Sequence, residues 1–183
     1  MDGCTWNLLK VNPMSGGAGP DTRLYEKLLA IFPGYRGYKE KEVLRETDRV
    51  VRERIYILLK ELEEHLKRLY SRATLLQATA SDATFMESVI YRVDSVAEKV
   101  RHAPHGYKPL FNVVKVDEEK LRKLQEYDLS LGERVTRLLS EVRERSGKAS
   151  SLDEVRGLFD YVAGELEEVE DLVNSRENYI LLL

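Results

Sequence analysis

The sequence predicts an all-α protein: an antiparallel bundle of four long helices with a short additional N-terminal helix. Three observations predict it. Apolar residues recur at intervals of three and four over four separate stretches, which is the period of one helix face. Glycine and proline, which interrupt helices, are sparse after residue 37. No alternating strand pattern competes, apart from a weak one at residues 112–116.

Composition frames the chain. At 183 residues, with 43% apolar and 33% charged side chains, it can bury one sizeable core. Residues 1–20 are read as a flexible leader and 21–183 as a single helical domain. Met14, just before Ser15-Gly16-Gly17, offers an alternative translation start. No segment is long and apolar enough to span a bilayer, and the N-terminus lacks a signal-peptide layout. A lone cysteine, Cys4, excludes an intramolecular disulfide and fits a reducing compartment, so a cytoplasmic location is expected. Five Asn and two Gln among so many Glu and Arg resemble the bias of proteins from hot environments. The net charge of −3 hides an asymmetry: residues 1–116 carry 19 Lys and Arg against 15 Asp and Glu, and residues 117–183 carry 10 against 17. The two halves can neutralise one another along neighbouring helices, and neither has the dense basic patch of a dedicated nucleic-acid binder.

The elements follow in order. Asp21 or Thr22 is a candidate N-cap for a short helix with apolar positions Leu24, Leu28, Leu29 and Phe32, which Pro33-Gly34 stops. A second helix starts near Tyr38 or Lys39 and runs beyond Tyr70, with Leu44, Val51, Ile55, Leu58, Leu62, Leu66 and Leu69 on one stripe. A third, capped by Ser81 or Asp82, carries Met86, Val89, Val93, Val96 and Val100 and ends at the His102-Ala103-Pro104-His105-Gly106 run. Residues 103–116 are apolar enough to be read as a strap across the bundle end. Asp117 caps a fourth helix with the seam Leu121, Leu124, Asp128, Leu131, Val135, Leu138 and Val142, and Gly132 is a candidate kink. After Ser146-Gly147-Lys148, Ser151 and Glu154 form a capping box for a last helix with Leu152, Val155, Phe159, Val162, Leu166, Val169 and Val173. Short turns between such helices predict antiparallel neighbours crossing at roughly 20°.

The segment with unusual local chemistry is Pro33-Gly34-Tyr35-Arg36-Gly37-Tyr38-Lys39-Glu40-Lys41-Glu42. Tyr35 and Tyr38 could stack on a base or peptide while Arg36, Lys39 and Lys41 hold phosphate or carboxylate. The same residues also fit a structural role, with Gly34 supplying positive φ past the first helix and the tyrosines stapling the corner. Downstream, Glu42–Arg45, Asp48–Arg52 and Arg49–Glu53 stand at spacings that support a solvated helix face. This stretch, with Arg45 following, resembles a motif of a family of uncharacterised prokaryotic all-helical proteins. The resemblance covers about twenty residues and implies a helical fold without implying an activity.

Polar residues interrupt the seams at Asp48, His65 and Asp128. In a bundle core they could ligate a metal, hold a proton, or pair with Arg and fix helix register. The Glu-x-x-His pattern of a di-iron bundle is missing, because Leu62 precedes His65 by three and Lys99 precedes His102 by three. His102, His105, His65 and Cys4 lack the paired spacing of a zinc site. Asp94 with Glu98, and Glu167 with Asp171, loosely resemble the acidic metal motifs of PhoU-like helical proteins. However, Arg101 stands where a further acid is wanted, so these residues are read as solvated faces. Gly16-Gly17-Ala18-Gly19 lacks the Gly-Lys-Ser/Thr ending of a phosphate loop. The expectation is therefore no catalytic residue, no metal and no cofactor. The favoured role is a non-enzymatic interaction or scaffold protein, with a protein partner or self-association. Its candidate binding surface is Tyr35, Arg36, Tyr38, Lys39 and Lys41, and its candidate interface is the apolar tail Tyr179, Ile180, Leu181, Leu182 and Leu183. Two alternatives stay open: nucleic-acid association through the basic segment 35–54, and a small-ligand or metal site built on Asp48, His65 and Asp128.

Overall fold

A computed structural model describes residues 20–37, 41–103 and 118–182, with side chains throughout except at positions 20, 21, 41–45, 181 and 182. The described residues form five helices and no strand: α1 (Pro20–Ile31), α2 (Lys41–Leu75), α3 (Ala80–His102), α4 (Glu118–Lys148) and α5 (Leu152–Leu182). None is long and apolar enough to cross a membrane. The leader, the strap, the Asp117 cap and the weak strand pattern at 112–116 lie outside the described residues, apart from Pro20 and Ala103.

The three-four seams are the core. All five third-helix positions are buried, as are Val155 through Val173 of α5 and the α4 seam from Leu124 onward. The α2 seam is wider than the single stripe expected, because α2 packs on α3, α4 and α5 together. Adjacent residues such as Leu58 and Leu59, or Leu62 and Glu63, are consequently buried as pairs.

Contacts between side chains give the helix directions. Tyr70 reaches Glu87, Lys60 reaches Asp94 and Arg101 reaches Tyr56, so α2 and α3 run antiparallel. Arg145 lies over Tyr161, Arg134 pairs with Glu165 and Lys123 lies over Tyr179, so α4 and α5 do too. The two hairpins lie side by side in parallel. Arg156 meets Asp82, Arg92 meets Glu170 and Lys99 meets Asn174 between α3 and α5, while Arg143 meets Glu61 and Arg72 meets Ser146 between α2 and α4. An all-antiparallel set of neighbours is therefore not what these pairs describe. Short turns reverse successive helices but leave the placement of one hairpin against the other undetermined.

The turns follow local chemistry. α2 closes in a Schellman motif: Ala78 N–H donates to Ala73 O (3.1 Å), Gln77 N–H to Thr74 O (3.2 Å), and Gln77 takes φ +61°. The N-cap of α3 is Thr79 rather than Ser81 or Asp82. Its hydroxyl accepts from Asp82 N–H (3.2 Å), and the Asp82 carboxylate accepts in return from Thr79 N–H (3.1 Å). Asp82 is the N3 member of the box, so the cap lies two residues before Ser81.

The box at α5 is the one expected. Ser151 Oγ accepts from Glu154 N–H (3.3 Å), and Glu154 Oε2 accepts from the N–H groups of Ser150 (2.6 Å) and Ser151 (3.1 Å). These backbone donors favour the charged carboxylate and hold Glu154 down from 4.5 to about 2. A depressed carboxyl stabilises the fold above its unfolded value and loses that contribution as pH falls through its folded value. Glu154→Gln is expected to melt below the wild type at pH 7, with the two melting curves converging as pH drops from about 4.5 to about 2. Parallel pH profiles would contradict this role.

α4 runs as one continuous helix through Gly132. A Cβ there would lie 2.6 Å from Phe32 Cζ and 2.9 Å from Ile31 Cγ2, so the missing side chain is what admits the end of α1. Phe32 is fully buried against this bare stretch of α4. The chain then turns through Gly34 (φ +91°) and Gly37 (φ +77°), which carry the positive φ angles of this corner.

Candidate functional site

Two seam interruptions, Asp48 and Asp128, meet in the interior, and the residue that joins them is Arg176. Its Nε donates to Asp128 Oδ1 at 2.6 Å and its Nη2 to Asp48 Oδ1 at 2.8 Å. Asp48 Oδ2 also pairs with Arg52 Nη2 at 2.8 Å, and Arg52 Nη1 donates to the Ala103 carbonyl at 3.2 Å. Asp128 is 0% exposed, Arg176 4%, and Asp48 and Arg52 7% each. Two carboxylates and two guanidiniums therefore share one buried site, and Glu177 lies beside the two guanidiniums. Ends of α2, α4 and α5 and the C-cap of α3 converge on it. The Asp48–Arg52 pair, expected on a solvated face, is part of this interior cluster because α2 buries more than one stripe.

Tyr35 belongs beside it. It is 1% exposed, with its ring 6.1 Å from that of Tyr25 and 6.3 Å from that of Phe32. Burial, and secondarily the Asp128 carboxylate, pushes its phenol well above the ordinary value. Tyr35 therefore cannot stack on an external base or peptide, and the stapling role describes it. The Gly37 carbonyl accepts from Thr47 Oγ1 at 2.8 Å, which ties this corner to α2. Arg36 is exposed and pairs with Glu46 at 3.4 Å. Tyr38, Lys39 and the Lys41 side chain lie outside the described residues.

His65 is not part of the cluster. It sits 17 positions along α2 from Asp48, about 25 Å at the helical rise. Burial, then Arg68 and Arg143, keep its pKa below the ordinary value. The space beside the charged cluster, lined by Val51, Val100, Leu131 and Val173 together with Arg52, Arg176 and Glu177, amounts to about 10 Å³. That is about one water probe and far below the roughly 300 Å³ at which small-molecule sites begin. Among the described residues no three His, Cys, Asp or Glu side chains are placed to hold a metal ion. His102 instead pairs with Glu98 at 3.2 Å on an exposed face.

The tail is partly spent inside the molecule. The Tyr179 ring lies 5.4 Å from that of Tyr127, its hydroxyl donates to the Lys120 carbonyl at 3.2 Å, and Ile180 packs half-buried against the core. The side chains of Leu181, Leu182 and Leu183 lie outside the described residues.

Two functional-looking features were not singled out from sequence. Arg176 occupies a seam position between Val173 and Ile180, and a charge there, set against Asp48 and Asp128, is the readable sign of a buried ion cluster. The other is a groove of about 330 Å³ beside Pro33, lined by Arg49, Val50, Glu53, Arg54 and Ile57. No protein-family model, curated protein or solved structure matches this chain.

Proposed function

We propose that the protein is a non-enzymatic interaction module: a bundle of its four long helices, with α1 wedged onto α4, that presents a surface to a protein partner. The observation that carries this reading is the mutual neutralisation of Asp48, Asp128, Arg52 and Arg176. Buried carboxylates engaged by guanidiniums and linked to a helix C-cap fix the register of four helix ends. They are not poised for proton transfer or ligand capture. The space beside them holds no more than a water, which counts against the small-ligand alternative. The nucleic-acid alternative loses Tyr35 as a stacking surface, because that ring lies inside the core. The partner surface is instead the region around exposed Arg36 and the neighbouring groove on α2.

The test is calorimetric. In a thermal-shift panel of nucleotides, sugar phosphates, amino acids and divalent metal ions, no compound is expected to raise the melting temperature of the full chain. A compound that does so, and that titrates with one-to-one stoichiometry, would overturn this reading in favour of a ligand-binding protein.

A further inference from the structure

We propose that the groove between the end of α1 and the outer face of α2 docks an acidic, amphipathic helical peptide of a partner protein. This rests on the interaction-module reading. Val50 and Ile57 are seven positions apart on α2 and, with Pro33, make an aliphatic floor. Ile57 is 45% exposed although its neighbours Leu58 and Leu59 are in the core. At about 330 Å³ the groove is at the small end of binding sites, enough for one or two large apolar side chains.

The charges around the floor give the partner its sign. Arg54 Nε donates to the Ile31 carbonyl at 3.2 Å, which fixes the plane of its guanidinium before anything binds. Arg49 is exposed and makes no ion pair among the described residues, even with Glu53 one turn away. Two arginines flanking an aliphatic floor complement a Leu, Ile or Phe side chain with an Asp or Glu one helical turn from it. A polyanion fits less well. Among the described residues no aromatic ring lines the groove to stack a base.

The experiment selects binders from a random-peptide display library on the full chain, then measures a synthetic peptide of the enriched sequence. Enriched peptides are expected to carry an apolar residue with an acid one turn away. Binding should weaken at least about tenfold in Ile57→Asp and in Arg49→Glu. Both side chains are exposed, so the melting temperature of each variant should match the wild type. A peptide with Lys in place of its acid should recover binding to Arg49→Glu. Peptides that bind both variants as well as the wild type would overturn the groove while leaving the module reading standing. A single-stranded RNA that binds in a salt-sensitive manner and is lost in Arg49→Glu, with no peptide enriched, would overturn both.

Discussion

Replacing Arg176 with Met is expected to destabilise the fold by about 3–5 kcal/mol, because it takes the guanidinium away from two buried carboxylates, Asp128 and Asp48. For a chain of this size that lowers the melting temperature by roughly 10 °C or more. The size of the effect comes from the buried carboxylates left behind and not from the strength of the original pair, since ion pairs in dry sites roughly break even against apolar replacements. The double variant Arg176→Met with Asp128→Asn separates the two explanations. It removes one of those charges while leaving the Asp48–Arg52 pair, and should melt above the Arg176→Met single variant. Urea denaturation of the four members of this cycle measures the coupling. Additive effects would show that Asp128 does not depend on Arg176 for its place in the core.

Gly132→Ala should cost about 1 kcal/mol net, in the direction opposite to ordinary helix propensity. An added methyl would meet the Phe32 ring at 2.6 Å and Ile31 at 2.9 Å, and the fully buried ring cannot retreat easily. Overpacking of this kind costs about 1–3 kcal/mol. It is only partly offset by the roughly 0.5–1 kcal/mol gained when alanine replaces glycine within a helix. The same substitution at Gly157 and Gly164 of α5 is the internal control. A Cβ at either position meets nothing within 4 Å, so both should stabilise by about the propensity term. Phe32→Leu in the Gly132→Ala background removes the colliding ring atoms and should recover part of the loss. If Gly132→Ala melted as high as Gly157→Ala, α1 would not be seated through that contact.

The helices were legible because burial imposes a period. Val155, Phe159, Val162, Leu166, Val169 and Val173 could have been assigned to one face from spacing alone, and so could Met86 through Val100. Termini with side-chain chemistry were nearly as readable: Ser151 with Glu154 was, whereas Thr79 was hidden behind the better-looking Ser81 and Asp82. What sequence could not supply is which non-successive helices touch. The parallel contacts of α2 with α4 and of α3 with α5 depend on how two hairpins are laid together, and no local signal encodes that. For the same reason Asp48 and Asp128 were visible as interruptions while their common partner was not. Arg176 lies 128 residues from Asp48, and Arg52 was masked by an i,i+4 spacing that usually means solvent. Tyr35 illustrates the remaining difficulty. Glycine-flanked tyrosine beside arginine has the composition of a binding surface, and only the bare backbone at Gly132 tells that the corner tucks inward.

The placement of the charged cluster gives the molecule two unlike ends. At one, both hairpins are closed by turns of a few residues with reciprocal caps. At the other, Arg176 and Arg52 draw together four helix ends that share no short turn. The arrangement is a pair of tongs whose arms are pinned at the base and clasped at the tips. Local opening costs least at the clasp, so amide exchange should be fastest there and slowest toward the pinned base. The proposed groove lies nearer the tips, on the stretch of α2 immediately beyond Asp48. A partner seated there would brace the loose end of the tongs, and its binding would be felt as slower exchange around Asp48, Asp128 and Arg176, residues it never touches.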